Sequence, residues 1–221
     1  MTSSAVSSAA PVQSQFLRSE VVHLFPTCVW CHWLVAADRM NCRILDSLES
    51  VRAVEPSRSK AEGAWQSAGD LHRREAFAPL AKAMLAAAGR VAGFLRWQCE
   101  GLEITNLWAN MNFGKHAHHQ HTHPNNHISG VYYAQAEERC GDILFYDPRP
   151  QAHLMEPQIA EFTPPTMGQY RFKPEAGMML LFPSWLEHSV EPNLSGRPRV
   201  SLAFNVVLRG RIGRESGEAV L

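Results

Sequence analysis

The apolar positions of the chain follow two different spacings, and the change falls near residue 100. Before it, residues 37–54 and 73–98 carry apolar side chains at three- and four-residue intervals, which predicts two helices. The second is rich in alanine, which favours a helix further, and Asp70 is well placed to cap it. The predicted apolar stripe of this second helix consists of Phe77, Leu80, Met84, Ala88, Val91 and Leu95.

Two other stretches lie in this first half of the chain. Residues 21–35 are apolar, β-branched and aromatic, and Pro26 interrupts them. Proline cannot donate a hydrogen bond to a sheet, so we expect one or two strands at a sheet edge. Residues 55–70 are polar and contain glycine, which predicts a loop with Trp65 embedded in it.

Beyond residue 101 the pattern is that of short strands separated by turn residues. The candidate strands are residues 104–113, 127–136, 142–148, 166–172, 177–186 and 199–208. A block of helices followed by many strands predicts a mainly β protein with flanking helices (α+β), built as a barrel or sandwich. We expect a disordered tail over residues 1–20 and a single domain over 21–221, with a helical part (21–100) and a β core (101–210).

Charge and composition exclude several classes of function. The 21 basic and 21 acidic residues balance, so no overall field attracts nucleic acid. The amino terminus lacks the features of a secretory signal, and no apolar run approaches the roughly 18 residues of a membrane span. The five cysteines are scattered and odd in number, which suits a reducing compartment. We therefore expect a cytoplasmic protein that binds neither nucleic acid nor membrane.

Histidine is concentrated in one short stretch that runs into a predicted strand. Alternate residues of a strand face the same side, so His121 and His123 can reach one metal ion together. A third ligand must come from elsewhere, and His188, next to an apolar run, is the best-placed candidate. The six histidines of the stretch are His116, His118, His119, His121, His123 and His127.

The last predicted strand opens with an arginine and a serine on the same face. Arg199 and Ser201 are two residues apart, so their side chains share one side of the strand. Guanidinium holds a carboxylate through two hydrogen bonds, and the hydroxyl adds another. The pair therefore predicts a carboxylate-binding socket, and its position shortly after His188 places it beside the metal.

Six motifs, in this order, resemble a family of small Fe(II)- and 2-oxoglutarate-dependent oxygenases, and they span most of the chain beyond residue 20. They are LFPTCVW (24–30), LWANMN (107–112), HTHPNNHISGVYY (121–133), GDILFYDPR (141–149), FPSWLEHSVEPN (182–193) and RVSLAFN (199–205).

The resemblance implies a double-stranded β-helix, a jelly-roll or cupin-like core, with iron held between its two sheets. It makes His121, His123 and His188 the metal ligands. It assigns the distal carboxylate of 2-oxoglutarate to Arg199 and Ser201. The remaining residues that it places around the cosubstrate are Asn110, Tyr133 and Asn205.

One position departs from the broader superfamily, which usually has Asp or Glu where this chain has His123. Three imidazoles leave iron more positive than two imidazoles and a carboxylate do. Either His123 is the third ligand, or a carboxylate supplies it, or only two histidines bind. The candidate carboxylates are Glu187, Asp142 and Asp147.

We expect an Fe(II)/2-oxoglutarate dioxygenase that hydroxylates an unactivated C–H bond of a small-molecule or amino-acid-like substrate, using O2 and no catalytic side chain beyond the metal centre. One alternative is a cupin-like three-histidine enzyme without 2-oxoglutarate, such as a thiol dioxygenase, isomerase or lyase. Another is a non-catalytic metal-binding protein. Residues 55–70 and 149–170 are expected to shape the substrate pocket, and a homodimer through the first helices is a further expectation.

Overall fold

The computed structural model describes residues 17–114, 116–155, 157–213 and 219–220, without the side chains of His153 and Ile212. Most of the predicted N-terminal tail, residues 1–16, lies outside the described residues. The division into a tail and one domain stays a prediction.

Both predicted helices are present. The first, α1, covers Ala37–Val54, the range that the sequence predicts. The second, α2, covers Ala78–Phe94 and is shorter than predicted, because residues 71–77 form two short 3-10 turns instead. Asp70 precedes the first of these turns without capping it, and its carboxylate pairs with Arg74 at 2.9 Å. The predicted capping role of Asp70 is therefore wrong.

The described residues contain twelve strands, which form three sheets. In chain order they are β1 (Trp30–Trp33), β2 (Ala64–Gln66), β3 (Gly101–Asn112), β4 (His118–His121), β5 (Ile128–Gln135), β6 (Ile143–Tyr146), β7 (Gln169–Phe172), β8 (Met178–Pro183), β9 (His188–Val190), β10 (Arg199–Arg209), β11 (Arg211–Ile212) and β12 (Ala219–Val220). The larger sheet has the order β1-β8-β5-β10-β3-β2, the smaller β4-β9-β6-β7, and β11 pairs with β12. All the strand pairs are antiparallel.

The larger sheet is covered on both faces. Its outer face packs against α1 and α2, and its inner face contacts the smaller sheet. The alternation of strand residues produces this division, since Tyr132 of β5 belongs to the helical core and its neighbours Val131 and Tyr133 belong to the core between the sheets. The predicted α+β arrangement, with helices on one side of a β core, is confirmed.

Strands β1 and β2 lie at the two edges of the larger sheet. β1 is an edge strand, as the proline before it predicts. β2 at the opposite edge was not predicted, because its three residues lie within a polar stretch. Trp65 is buried there and explains the strand, since its ring packs in the helical core. No helix among the described residues is both long and apolar enough to cross a membrane.

Candidate metal centre and carboxylate pocket

Three histidines converge between the two sheets. The nitrogen atoms that His121, His123 and His188 offer to a metal all lie within 4.8 Å of one another. His121 ends β4 and is paired directly with His188, the first residue of β9. Their ring centroids are 4.4 Å apart, and each lies 5.1 Å from the centroid of His123. The predicted metal ligands are therefore brought together.

His123 reaches this cluster by a different route from the one that strand alternation predicts. β4 ends at His121, so His123 lies in the connection that follows it. Its backbone N–H donates to the carbonyl of Ser184 at 2.9 Å. That bond ties the connection to the turn between β8 and β9, which also leads into His188. The third imidazole is thus positioned by a contact between two loops.

Backbone carbonyls orient two of the rings. Nδ1–H of His121 donates to the carbonyl of His119 at 2.6 Å, and Nδ1–H of His188 donates to that of Leu186 at 3.0 Å. Each ring therefore presents Nε2 to the centre of the cluster, a common arrangement for metal-bound histidine. Burial lowers the pKa of His123 to about 4 and that of His188 to about 3, so both are neutral and ready to bind a metal near pH 7.

No carboxylate joins the cluster among the residues that the structure describes. Glu187 instead accepts a hydrogen bond from the amide of Gln120, and Asp147 pairs with Arg149. The acidic alternatives therefore lack support, and the metal site consists of three imidazoles.

Arg199 is a buried cation without a partner anion. It is only 1% exposed, and it forms no ion pair within the described part of the chain. Its Nη1 donates to the carbonyls of Cys140, Gly141 and Glu191 at 2.6, 3.2 and 3.2 Å. Burial lowers the pKa of Arg199, although guanidinium stays protonated near pH 7. A buried charge of this kind is costly unless an anion binds to it.

One cavity joins the metal cluster to this cation. It has a volume of about 130 Å³ and lies between the sheets, with His121 and His188 in its wall together with Arg199 and Ser201. Among the residues that the structure describes, no acidic side chain lines it. The other lining residues are Gln66, Trp108, Asn110, His118, Gly130, Val131, Tyr133, Ile143, Phe182, Val190 and Ala203. The cavity is therefore a small, positively charged space suited to an anion.

Three of the other predicted pocket residues also line this cavity: Ser201, Asn110 and Tyr133. The hydroxyls of Ser201 and Tyr133 have no hydrogen-bond partner among the described residues, so both are available to a ligand. Burial raises the pKa of Tyr133, which keeps its phenol protonated as a donor. The amide oxygen of Asn110 accepts a hydrogen bond from Gln66 at 3.0 Å.

Asn205 does not line the cavity. Its amide oxygen accepts a hydrogen bond from Ser129 at 2.7 Å, and its amide nitrogen donates to Asn106 at 2.7 Å. Ser129 in turn bonds to Ser184, at 2.8 Å between hydroxyl oxygens. This buried polar chain leads to the residue whose carbonyl holds His123. Asn205 thus belongs to this polar chain, and its predicted contact with the cosubstrate stays a prediction.

Two polar residues of the cavity wall, Gln66 and His118, were not predicted as site residues. Gln66 falls in the predicted loop, and its strand has no apolar pattern to reveal it. His118 is one of the six histidines of the dense stretch, and regular alternation would place it on the face opposite His121. A bulge in β4 overturns that expectation: His118 faces Val190 and His121 faces His188, so three steps on β4 match two on β9. His118 and His121 consequently both line the cavity.

Residues 106–205, the part of the chain that carries the site, match a protein-family model described as "Putative 2OG-Fe(II) oxygenase". Over these 100 of its 221 residues, the chain is similar to 2OG-Fe(II) oxygenases. The cofactors of this family are Fe(II) and 2-oxoglutarate, as the sequence predicts. No curated protein sequence is significantly similar to this chain.

Solved structures show the same fold. A prolyl-4-hydroxylase from Pseudomonas putida is 17% identical, with a TM-score of 0.58 over 83% of this chain and 94% of that one. HygX from Streptomyces hygroscopicus, solved with nickel, 2-oxoglutarate and hygromycin B, is 13% identical, with a TM-score of 0.58 over 82% and 83%. The epimerase SnoN from nogalamycin biosynthesis is 16% identical, with a TM-score of 0.59 over 78% and 73%. The predicted double-stranded β-helix is confirmed.

The residues of the site fit both cofactors. Three imidazoles suit Fe(II), for which imidazole is a common ligand, and two of them, His121 and His188, direct Nε2 inward. The unpaired guanidinium of Arg199 and the free hydroxyl of Ser201 suit a carboxylate in the same cavity.

Proposed function

We propose that this protein is an Fe(II)/2-oxoglutarate dioxygenase that hydroxylates an unactivated C–H bond of a small-molecule or amino-acid-like substrate. The observation that carries this proposal is the shared cavity, whose wall contains His121 and His188 of the metal cluster and the buried guanidinium of Arg199, which has no ion-pair partner among the described residues. An enzyme acting without a keto diacid has no evident use for that cation.

Each polar residue of the cavity has a role in this proposal. His121, His123 and His188 hold the iron, and Arg199 holds the distal carboxylate of 2-oxoglutarate with the help of Ser201. Tyr133 and Asn110 line the same space and orient the cosubstrate by donating hydrogen bonds from the phenol and the amide. When bound, iron and 2-oxoglutarate supply the oxidising chemistry with O2, and the cosubstrate leaves as succinate and carbon dioxide.

Charge balance supports a dianionic cosubstrate. The imidazole ligands carry no negative charge, so a bound Fe(II) keeps its full double charge, and Arg199 adds another positive charge nearby. Because no acidic residue of the described chain lines the cavity, these charges are compensated only when an anion enters. 2-Oxoglutarate carries two negative charges and bridges the two positive groups.

The walls of the cavity keep water away from the reaction. Ile143, Phe182 and Val190 contribute apolar surface next to His188. On the opposite side, the ring of Trp108 lies 5.9 Å from that of His123. A substrate that packs against Trp108 lies close to the metal. Such a substrate leaves little room for water, which would otherwise enter the site and divert the oxidation from the substrate.

Anaerobic titration of the Fe(II)-loaded protein with 2-oxoglutarate tests the proposal. A weak charge-transfer band near ~500 nm is expected when a keto acid chelates the iron through two oxygens. No band despite stoichiometric bound iron contradicts the proposal and favours the three-histidine enzyme that does not use 2-oxoglutarate.

Arg199→Ala separates the cosubstrate role from the metal site. Loss of one partner of a buried charge pair costs about 2–5 kcal/mol, so the affinity for 2-oxoglutarate should fall roughly 30-fold or more. Arg197→Ala is the matched control, because Arg197 is exposed and pairs with Glu137. We expect it to leave the titration unchanged, and iron content should be equal in both variants. An unchanged titration of Arg199→Ala refutes the role of the arginine.

The reaction type is tested separately from cosubstrate use. Hydroxylation transfers one atom of O2 to the product, so isotopically labelled O2 should appear in the oxidised substrate and in succinate. Succinate formed without label in the product would favour another outcome, such as epimerisation or desaturation.

Assembly and location complete the proposal. We expect a cytoplasmic protein whose partners are a small-molecule substrate and O2, and a homodimer that forms through the helical part. Size-exclusion chromatography with light scattering tests the dimer, for which a mass of twice 24.7 kDa is expected.

A further inference from the structure

His118 reaches the cavity only because of the bulge in β4. The bulge turns both His118 and His121 toward the space between the sheets, although they are three residues apart. His121 belongs to the metal cluster, whereas His118 does not. The cavity therefore contains a fourth imidazole that the metal site does not use.

The neighbours of His118 place it at the arginine end of the cavity. The side-chain amide of Asn112 lies 3.4 Å from its Nε2. Asn112 is the direct partner of Arg199 in the pairing of β3 with β10. Burial, and then the positive charge of Arg199, lower the pKa of His118 to about 4, so the ring is neutral. His118 thus stands across the sheets from the cation that holds the carboxylate.

The ring of His118 has one free donor. The amide of Asn112 donates to Nε2, so the single ring proton is on Nδ1. Nδ1 has no hydrogen-bond partner in the part of the chain that the structure describes. Among the described residues, the half-buried Nδ1–H of His118 has no hydrogen-bond partner and the buried guanidinium of Arg199 has no anion. One carboxylate bound between them would accept hydrogen bonds from both.

We propose that His118 is a specificity-determining residue for the cosubstrate, whose Nδ1–H donates to the carboxylate that Arg199 binds. The inference rests on the proposed function. It adds that the site selects keto acids with a second carboxylate over keto acids without one. Arg199 supplies the charge from the larger sheet, and His118 supplies a directed hydrogen bond from the smaller sheet.

Calorimetric titration of the Ni(II)-loaded protein tests this, because it reads binding without turnover. The ligands are 2-oxoglutarate and 2-oxobutyrate, which keeps the metal-chelating end and lacks the distal carboxylate. A hydrogen bond to a charged group is worth enough that His118→Leu should weaken 2-oxoglutarate binding about 10-fold or more. Its affinity for 2-oxobutyrate should match that of the wild-type protein.

Two further variants make the result specific. His118→Asn puts an amide N–H close to the position of Nδ1, so it should recover most of the affinity for 2-oxoglutarate. Gln120→Leu changes an exposed residue of the same strand, which contacts Glu187 outside the cavity, and should bind both acids like the wild-type protein. Nickel content and the melting temperature should be the same in all four proteins.

Three outcomes would overturn the inference. Equal 2-oxoglutarate affinity in His118→Leu and the wild-type protein would show that the imidazole does not touch the carboxylate. An equal loss for both keto acids, or no recovery in His118→Asn, would show that His118 only supports the fold around it. In all three cases the wild-type protein still binds 2-oxoglutarate and the proposed function stands. If the wild-type protein binds neither acid, the proposed function falls as well.

Discussion

Gly141 is the residue that lets the backbone close around Arg199. Its φ of +92° lies in the region that favours glycine, and a Cβ there would stand 2.3 Å from the carbonyl oxygen of Glu191. The same Cβ would stand 2.8 Å from Nη1 of Arg199. The carbonyls that hold the arginine can therefore approach it only because residue 141 has no side chain.

Gly141→Ala should destabilise the fold and weaken the carboxylate pocket together. Strain at such a position costs about 1–3 kcal/mol, and displacement of Arg199 should reduce the affinity for 2-oxoglutarate. Thermal unfolding and the anaerobic titration measure the two effects.

Gly89→Ala is the control for Gly141→Ala. Gly89 is exposed in α2, and an added Cβ meets nothing within 4 Å. This change should stabilise the protein by about 0.5–1 kcal/mol, since alanine favours helix. Equal effects of the two substitutions would contradict the role assigned to residue 141.

At the scale of elements, a buried hydrogen-bonded chain connects the strands of the larger sheet to the loop that carries His123. Ser129 of β5 bonds to Ser184 in the β8–β9 turn and to Asn205 of β10. The backbone of Ser184 holds the N–H of His123 and itself donates to the carbonyl of His127. These two backbone bonds connect the turn to both ends of residues 123–127, and we call this connection the latch.

Ser129→Ala should loosen this latch. It leaves two buried polar groups without a partner, which costs about 1–3 kcal/mol. Changes in the groups that orient ligands typically lower metal affinity about 10- to 100-fold. Chemical denaturation and competition with a chelator measure these effects. Ser50→Ala, on the exposed side of α1, should stay within about 0.5 kcal/mol of the wild-type protein. A stable Ser129→Ala protein with full metal affinity would contradict the latch.

The elements with a long periodic signal are those that the sequence predicts best. Helix α1 has its predicted bounds, and five residues of the predicted α2 stripe, from Phe77 to Val91, are buried. The short strands β2 and β9 have three residues each, too few to show a period. Their existence depends on partners distant in the chain, which local sequence does not encode.

The sequence predicts those site residues whose role follows from their residue type and their spacing along the chain. The sequence singles out His121, His123, His188 and Arg199. Few functions other than metal and carboxylate binding require histidine and arginine in this order. His118 was missed because a bulge reverses the alternation on which the prediction relied. The polar chain from Ser129 to Asn205 was missed because serine and asparagine side chains are common and only packing brings them together.

At the scale of the whole molecule, the metal site and the main core are separate. The core between the helices and the larger sheet contains none of the metal-binding histidines. Because that core holds most of the buried apolar side chains, we expect the metal-free protein to stay folded.

Removal of the metal should therefore lower stability without unfolding the protein. Metal at about 100 times its dissociation constant stabilises by ~2.7 kcal/mol, which for a chain of this size corresponds to roughly 5–10 °C in the melting temperature. Circular dichroism should show the same helix content with and without a chelator, and thermal melts should show the shift.

His123→Ala tests whether three imidazoles contribute to that shift. A three-histidine site predicts that most of the metal-dependent stabilisation disappears, because two ligands bind a metal far more weakly. His23→Ala, which changes an exposed histidine before β1, should keep the full shift. An unchanged shift in His123→Ala would mean that only two histidines bind.

The bulge in β4 also affects how the protein folds. Without it, regular alternation would direct His119, His121 and His123 to one side, and this set could also capture a metal ion. We therefore expect metal to bind a refolding chain in this second register as well, although only the native register completes the pairing with β9. Free metal present during refolding should trap chains in the wrong register, whereas metal added after refolding should find the native site already formed. Refolding yield therefore depends on the order of addition, and the apoprotein is the productive starting point.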